Sequence, residues 1–120
     1  MKYKIDTLLE EIASLPEFVN KKIDVSTRGI FGNCPIHSVC TWLDKDAVDV
    51  LLSNGADINS IGEDGETPIF RPVRSNNKDF TEFLIQRGAR VSVKNVDGIT
   101  PLDIAKTEGF DDIVELFIEN

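Results

Sequence analysis

A 33-residue beat runs through this chain. Gly32, Gly65 and Gly98 are 33 apart, and each opens a matching phrase: G-N-C-P-I-H, G-E-T-P-I-F and G-I-T-P-L-D. A second marker, Gly55-Ala56, returns at the same interval as Gly88-Ala89. A fixed period of this kind means stacked units, none of which buries its apolar face alone. The apolar pairs Val50-Leu51, Phe83-Leu84 and Leu116-Phe117 keep the register, so they are expected to share one continuous core.

The period and the T-P-L-H-like opening of each unit resemble the ankyrin repeat. The resemblance covers two repeats, 32–64 and 65–97, and a C-terminal partial repeat, 98–120, in a single domain spanning 1–120. It implies an all-α fold, a solenoid of stacked helix-turn-helix units with short hairpin-like tips, and a binding surface in place of a catalytic cleft. Residues 1–31 read as a degenerate N-terminal capping repeat. Ile5, Leu8, Leu9 and Ile12 give one apolar helix face, which Pro16 should end. A short second helix is expected over Glu17–Lys22, and Asp24-Val25-Ser26 lies 33 residues before Asp57-Ile58-Asn59.

Local chemistry fits the repeat at most positions. Pro35, Pro68 and Pro101 suit the first helical position, where a missing N–H costs nothing. Thr67 and Thr100 are expected to cap those helices. Gly55 and Gly88 are expected to end the second helices with positive φ. Three departures stand out. Pro72 falls inside the first helix of its repeat and should shorten it, so Pro72→Ala is expected to stabilise. Leu43 and Asn76 replace the turn glycine seen as Gly109. Asn tolerates the left-handed conformation and Leu does not, so the turn after Trp42 is expected to differ, with Asp44 or Asp46 capping the next helix.

Composition excludes several functions. The 21 acidic and 13 basic residues leave a net charge of −8, which repels nucleic-acid phosphates and anionic membranes and favours a basic partner. No apolar run approaches a membrane span, and the start MKYKIDTLLEEIASL lacks an unbroken apolar stretch and a cleavage site, so a cytoplasmic location is expected. Cys34 and Cys40 are the only cysteines, and both read as buried hydrophobes. His37 is the sole histidine and holds the T-P-L-H position, where the resemblance implies hydrogen bonds to backbone between repeats. These residues make no catalytic, metal or cofactor site. The run Glu63-Asp64-Gly65-Glu66 lacks the spacing of a calcium loop and reads as a solvated acidic turn.

What remains is recognition. In an ankyrin-like stack the tips and the exposed sides of the first helices line the concave face. Carried onto this chain, the partner-binding residues are Phe31, Trp42, Glu63, Asp64, Glu66, Arg71, Arg74, Val96 and Ile99. Trp and Arg dominate binding hot spots. Trp42 and Phe31 have two readings, one facing the groove and one packing against the N-terminal cap. Segment charges alternate at 0, −5, +2 and −5 over residues 1–31, 32–64, 65–97 and 98–120, which suits selection of one partner. The expected function is non-enzymatic protein binding by a chain that is monomeric when free. Small acidic ankyrin-like proteins resemble inhibitor or immunity proteins that neutralise a basic toxin or enzyme. The alternative is a scaffold that tethers an enzyme without inhibiting it.

Overall fold

The computed structural model describes residues 3–18 and 22–119. Its helices are α1 (Ile5–Ala13), α2 (Pro35–Thr41), α3 (Lys45–Ser53), α4 (Phe70–Arg74), α5 (Lys78–Gln86), α6 (Pro101–Glu108) and α7 (Asp111–Glu119), with a 3-10 turn at Glu63–Gly65. No strand occurs among the described residues. In the pairs α2–α3, α4–α5 and α6–α7, the partners pack against each other. The first helices stack in the order α2, α4, α6, and α5 packs on α7. Helix α1 lies against both α2 and α3. Ile36, Val39, Leu51, Ile69, Phe70, Leu84 and Ile113 are wholly or almost wholly buried in one core that crosses every pair.

The helix starts follow the sequence where the capping chemistry is complete. Thr100 Oγ1 accepts the Asp103 N–H at 3.1 Å, and the Asp103 carboxylate accepts the Thr100 N–H at 3.0 Å. This reciprocal box fixes Pro101 as the first residue of α6. In α2, His37 fills the same role by accepting the Cys34 N–H. The cap expected at Thr67 is not formed. The third residue onward there is Phe70, a core side chain that cannot reach back, and Thr67 Oγ1 is buried without a hydrogen-bond partner. Pro72 contributes to the same shortening. Having no N–H, it leaves the Pro68 carbonyl to a tighter bond from Arg71 N–H at 3.1 Å, and α4 spans only five residues. The gain expected from Pro72→Ala is therefore not expected to hold. The proline ring is buried and the Pro68 carbonyl already has a donor.

The turns between paired helices correct another expectation. Leu43 adopts the left-handed conformation with φ 57°, as do Asn76 at 53° and Gly109 at 74°. At each turn the same two bonds close the helix. Leu43 N–H donates to Cys40 and Asp44 N–H to Val39; Asn76 donates to Val73 and Asn77 to Pro72; Gly109 donates to Lys106 and Phe110 to Ala105. This is a Schellman closure repeated three times, and the stack imposes it even where a Cβ resists it. Asp44 also caps α3 as expected, accepting Ala47 N–H at 3.1 Å. At the N terminus, Glu17 lies in a turn and Phe18 outside any helix. The helix expected over Glu17–Lys22 is therefore absent at its start; residues 19–21 lie outside the described residues.

The tips repeat one geometry. Gly29, Gly62 and Asn95 each donate N–H to the carbonyl four residues on, at 2.9 Å in all three cases. His37 ties one tip to the next pair. Its Nδ1 accepts from Cys34 N–H at 3.1 Å, so Nε2 carries the proton and donates to the Glu66 carbonyl at 3.1 Å. The packing is tight enough to require glycine at position 62. A Cβ there would lie 2.3 Å from Asn33 Oδ1 and 2.7 Å from His37 Nε2.

Two outcomes follow from this frame. Burial lowers the His37 pKa from 6.5 to about 4. The unfolded ring takes up a proton at higher pH than the folded one, so stability is complete above pH 6.5 and falls as the pH drops toward about 4. The loss attributable to this ring is on the order of 3 kcal/mol. A His37→Gln variant should show a flatter slope of melting temperature over that window, and the wild-type imidazole resonances should stay neutral through about pH 5. Leu43→Gly should raise stability by about 1 kcal/mol, because it removes the left-handed penalty from a side chain 37% exposed. Urea denaturation measures this, and a lower midpoint would show that Leu43 packing outweighs the strain.

Candidate functional site

The tip face inverts the usual placement of polar and apolar groups. Asn33, Glu66 and Asn95 are turned inside. Asn33 Oδ1 accepts the Glu63 N–H at 2.9 Å, which links the first tip to the second. Asn95 Oδ1 accepts from Asp97 and Ile99 N–H, at 2.9 and 3.0 Å, and its Nδ2 donates to Glu66 Oε2 at 2.9 Å. Asp64 carbonyl accepts from Val96 N–H at 2.9 Å, joining the second tip to the third. Arg28 donates to the carbonyls of Gly32 and Ile61 across the first two tips. With the backbone thus fixed, apolar side chains point outward: Ile30 and Phe31 on the first tip, Ile61 before the second, Val96 and Ile99 on the third. Val96 is 71% exposed and Phe31 54%. Glu63 and Asp64 stand exposed among them.

Of the nine residues expected to bind a partner, five reach this face, Trp42, Arg71 and Arg74 lie on or at the end of the first helices, and Glu66 is turned inside. Phe31, Glu63, Asp64, Val96 and Ile99 are displayed on the tips. Glu66 is only 9% exposed and is committed internally. It accepts from Asn95 and from both Nε and a terminal nitrogen of Arg74. The carboxylate sits on the helix side of its tip, where the stack supplies donors. That corrects its reading as part of a solvated acidic turn. Arg74 remains about half exposed but is anchored by this pair, and hydrogen bonding to Glu66 raises its pKa. Arg71 is half-buried and donates to Thr41 Oγ1.

Trp42 lies between the first helix of its repeat and the N-terminal segment. It ends α2 with 38% of its surface exposed and lines a cleft of about 230 Å³. One wall of that cleft is Leu15, Pro16 and Glu17 from the N-terminal segment; another is Thr41 and Arg71. Phe31, by contrast, does not lie among the residues packed on the core. Leu43, singled out by sequence only as a departure at the turn, is also an apolar residue at the surface. Its register with Gly109 was visible, but a leucine there was read as excluding the turn it in fact makes.

The groups that could carry reactive chemistry are engaged or buried. The sole histidine has both ring nitrogens engaged and is buried, so it offers no free base. Both thiols are free and buried, and burial pushes Cys40 up to about 12. No group of His, Cys, Asp and Glu suited to a metal ion occurs among the described residues. No described helix is long and apolar enough to cross a membrane.

Comparison with curated proteins finds no match. A family model described as ankyrin repeats in three copies matches residues 5–95 and again 48–120. Its matches span the stack from α1 to the end of α7, and the tip bonds, Schellman closures and helix pairs recur within them at the 33-residue period. This chain belongs to the ankyrin repeat family.

Proposed function

We propose that this protein-interaction module grips a basic partner protein across its tips and first helices and neutralises it, acting as a small monomeric inhibitor in the cytoplasm. The observation that carries the reading is the row of outward apolar side chains, Phe31, Ile61, Val96 and Ile99, set beside the carboxylates Glu63 and Asp64. Apolar anchors on a rigid backbone lose little entropy on binding. Carboxylates beside them steer a cationic surface and set its orientation. A toxin or enzyme with a basic active surface fits this description, and covering that surface inhibits it. The alternating segment charges favour one orientation of the partner along the stack. Free buried thiols accord with a reducing compartment.

The test begins with recovery of the partner from the native cell and proceeds to surface-based kinetics. Trp42→Ala or Phe31→Ala should cost about 2 kcal/mol of affinity, chiefly through faster dissociation. Glu63→Gln with Asp64→Asn should slow association and flatten its salt dependence. Unchanged kinetics in the double variant at low salt would rule out the tip face. Assay of the partner's own activity in the complex separates neutralisation from tethering. Glu66→Gln is the structural control. It should lower stability by about 1–2 kcal/mol through the Arg74 and Asn95 contacts, while association stays as in the wild type. A thermal melt beside the binding curve distinguishes the two effects.

A further inference from the structure

Arg71 is the one arginine among the described residues that is not exposed. Arg28, Arg74 and Arg87 stand further out, yet each is engaged, by two backbone carbonyls, by Glu66 and by Asp49 respectively. Arg71 has less water and a weaker partner. Its guanidinium donates to the neutral Thr41 hydroxyl, and no carboxylate among the described residues pairs with it. A guanidinium carries five N–H donors in a fork that matches a carboxylate. A half-buried cation without a counter-ion costs the fold stability, and a bound group that brings one removes that cost.

Arg71 lines the cleft of about 230 Å³ beside Trp42. Small-molecule sites begin at roughly 300 Å³, so this cleft suits one or two side chains of a protein. Leu15, Pro16 and Trp42 give it an apolar wall, and Ser38 and Arg71 give it donors. Ser38 and Arg71 are 33 residues apart and hold the same position in successive repeats, so stacking brings both to one cleft. Glu17 also lines it, but its carboxylate is turned toward the first tip. Oε1 is buried, 3.1 Å from where a Cβ on Gly29 would stand, and Oε2 meets Asn33 Nδ2 at 3.5 Å. Arg71 belongs to the one segment of positive net charge, +2 over residues 65–97.

We propose that this cleft takes an acidic side chain of the partner, a glutamate or aspartate beside an apolar residue. The carboxylate meets Arg71, and its apolar neighbour covers Trp42, Leu15 and Pro16. Arg71 is then a specificity-determining residue. The inference rests on the proposed function for the face that the partner covers, and it adds a contact of opposite sign to those at Glu63 and Asp64. Contacts of both signs on one face admit a single orientation of the partner, because the reversed one sets like charges together.

Trp42 is the only tryptophan, so its emission reports this end of α2. The probes are three short peptides with blocked ends, in which a central glutamate, glutamine or arginine is flanked by leucines. The glutamate peptide should shift the emission saturably and bind about tenfold more tightly than the glutamine peptide, the size of one charge-assisted contact. The arginine peptide should bind more weakly than either. In Arg71→Gln the glutamate and glutamine peptides should bind alike, and in Arg71→Lys most of the preference should return. A ratio of affinities within one variant does not depend on how stable that variant is. Arg71→Gln should also melt no lower than the wild type, because no carboxylate loses its partner. Val96→Ala on the third tip should leave the ratio unchanged. The inference is overturned if the glutamate peptide gives no saturable shift, if the wild type binds the glutamine or arginine peptide as well as the glutamate one, or if Arg71→Gln keeps the preference. The proposed function is judged separately, by the kinetics of the Glu63 and Asp64 double variant against the partner, so each reading can fail while the other holds.

Discussion

Every helix pair in this stack has an apolar side that it cannot cover itself, and the rest of the structure depends on that constraint. Burial therefore has to be shared between neighbours. The shared core runs from Leu8 and Ile12 in α1, through Ile36, Ile69 and Phe70, to Ile113 and Phe117 in α7. Nearest-neighbour stacking makes each pair a template for the next. The same dependence explains why local weaknesses are tolerated. Helix α4 is short and lacks a side-chain cap, yet it lies between α2 and α6 and has packing on both sides. Leu43 takes a backbone conformation that it would avoid in a free peptide, because the two bonds closing α2 are supported by the helices around them.

Stacking also decides what the tips can do. Side chains that would ordinarily be solvated are drawn inward to satisfy backbone groups of the adjacent repeat. Asn33 and His37 work in this way, while the Glu66 carboxylate joins the Asn95 side chain of the next tip. A buried polar group left without a partner costs more than a hydrogen bond returns, so these contacts hold the tips at a fixed spacing. The outward positions are then free of structural duty. Several of them are apolar, and apolar groups on a rigid frame lose little entropy when they are covered. The internal pair of Glu66 with Arg74 shows the limit of reading charge as function. A carboxylate in an acidic run can be a structural acceptor while its neighbours Glu63 and Asp64 face solvent.

Much of this was legible in the chain. The period set the helix pairs and placed α2 and α6 at Pro35 and Pro101, because proline and its capping partners act through bonds within a few residues. His37 was readable for a similar reason, since its position in the repeat carries its backbone partners with it. Tertiary structure decided the matters that depend on neighbours distant in sequence. It turned Glu66 inward, since Asn95 and the Glu66 side chain meet only when adjacent tips stack. Stacking also held Leu43 left-handed, where local sterics alone argued against it. The N-terminal segment was the least legible. Its apolar spacing predicted α1, but the path after Ala13 follows contacts such as the bond from Ile30 N–H to the Glu17 carbonyl. The sequence by itself determined a stack of helical pairs, because the period and the local capping rules are properties of short segments. Only the tertiary structure decided which polar side chains hold the stack together and which apolar ones are left exposed, because that division is made by contacts between repeats.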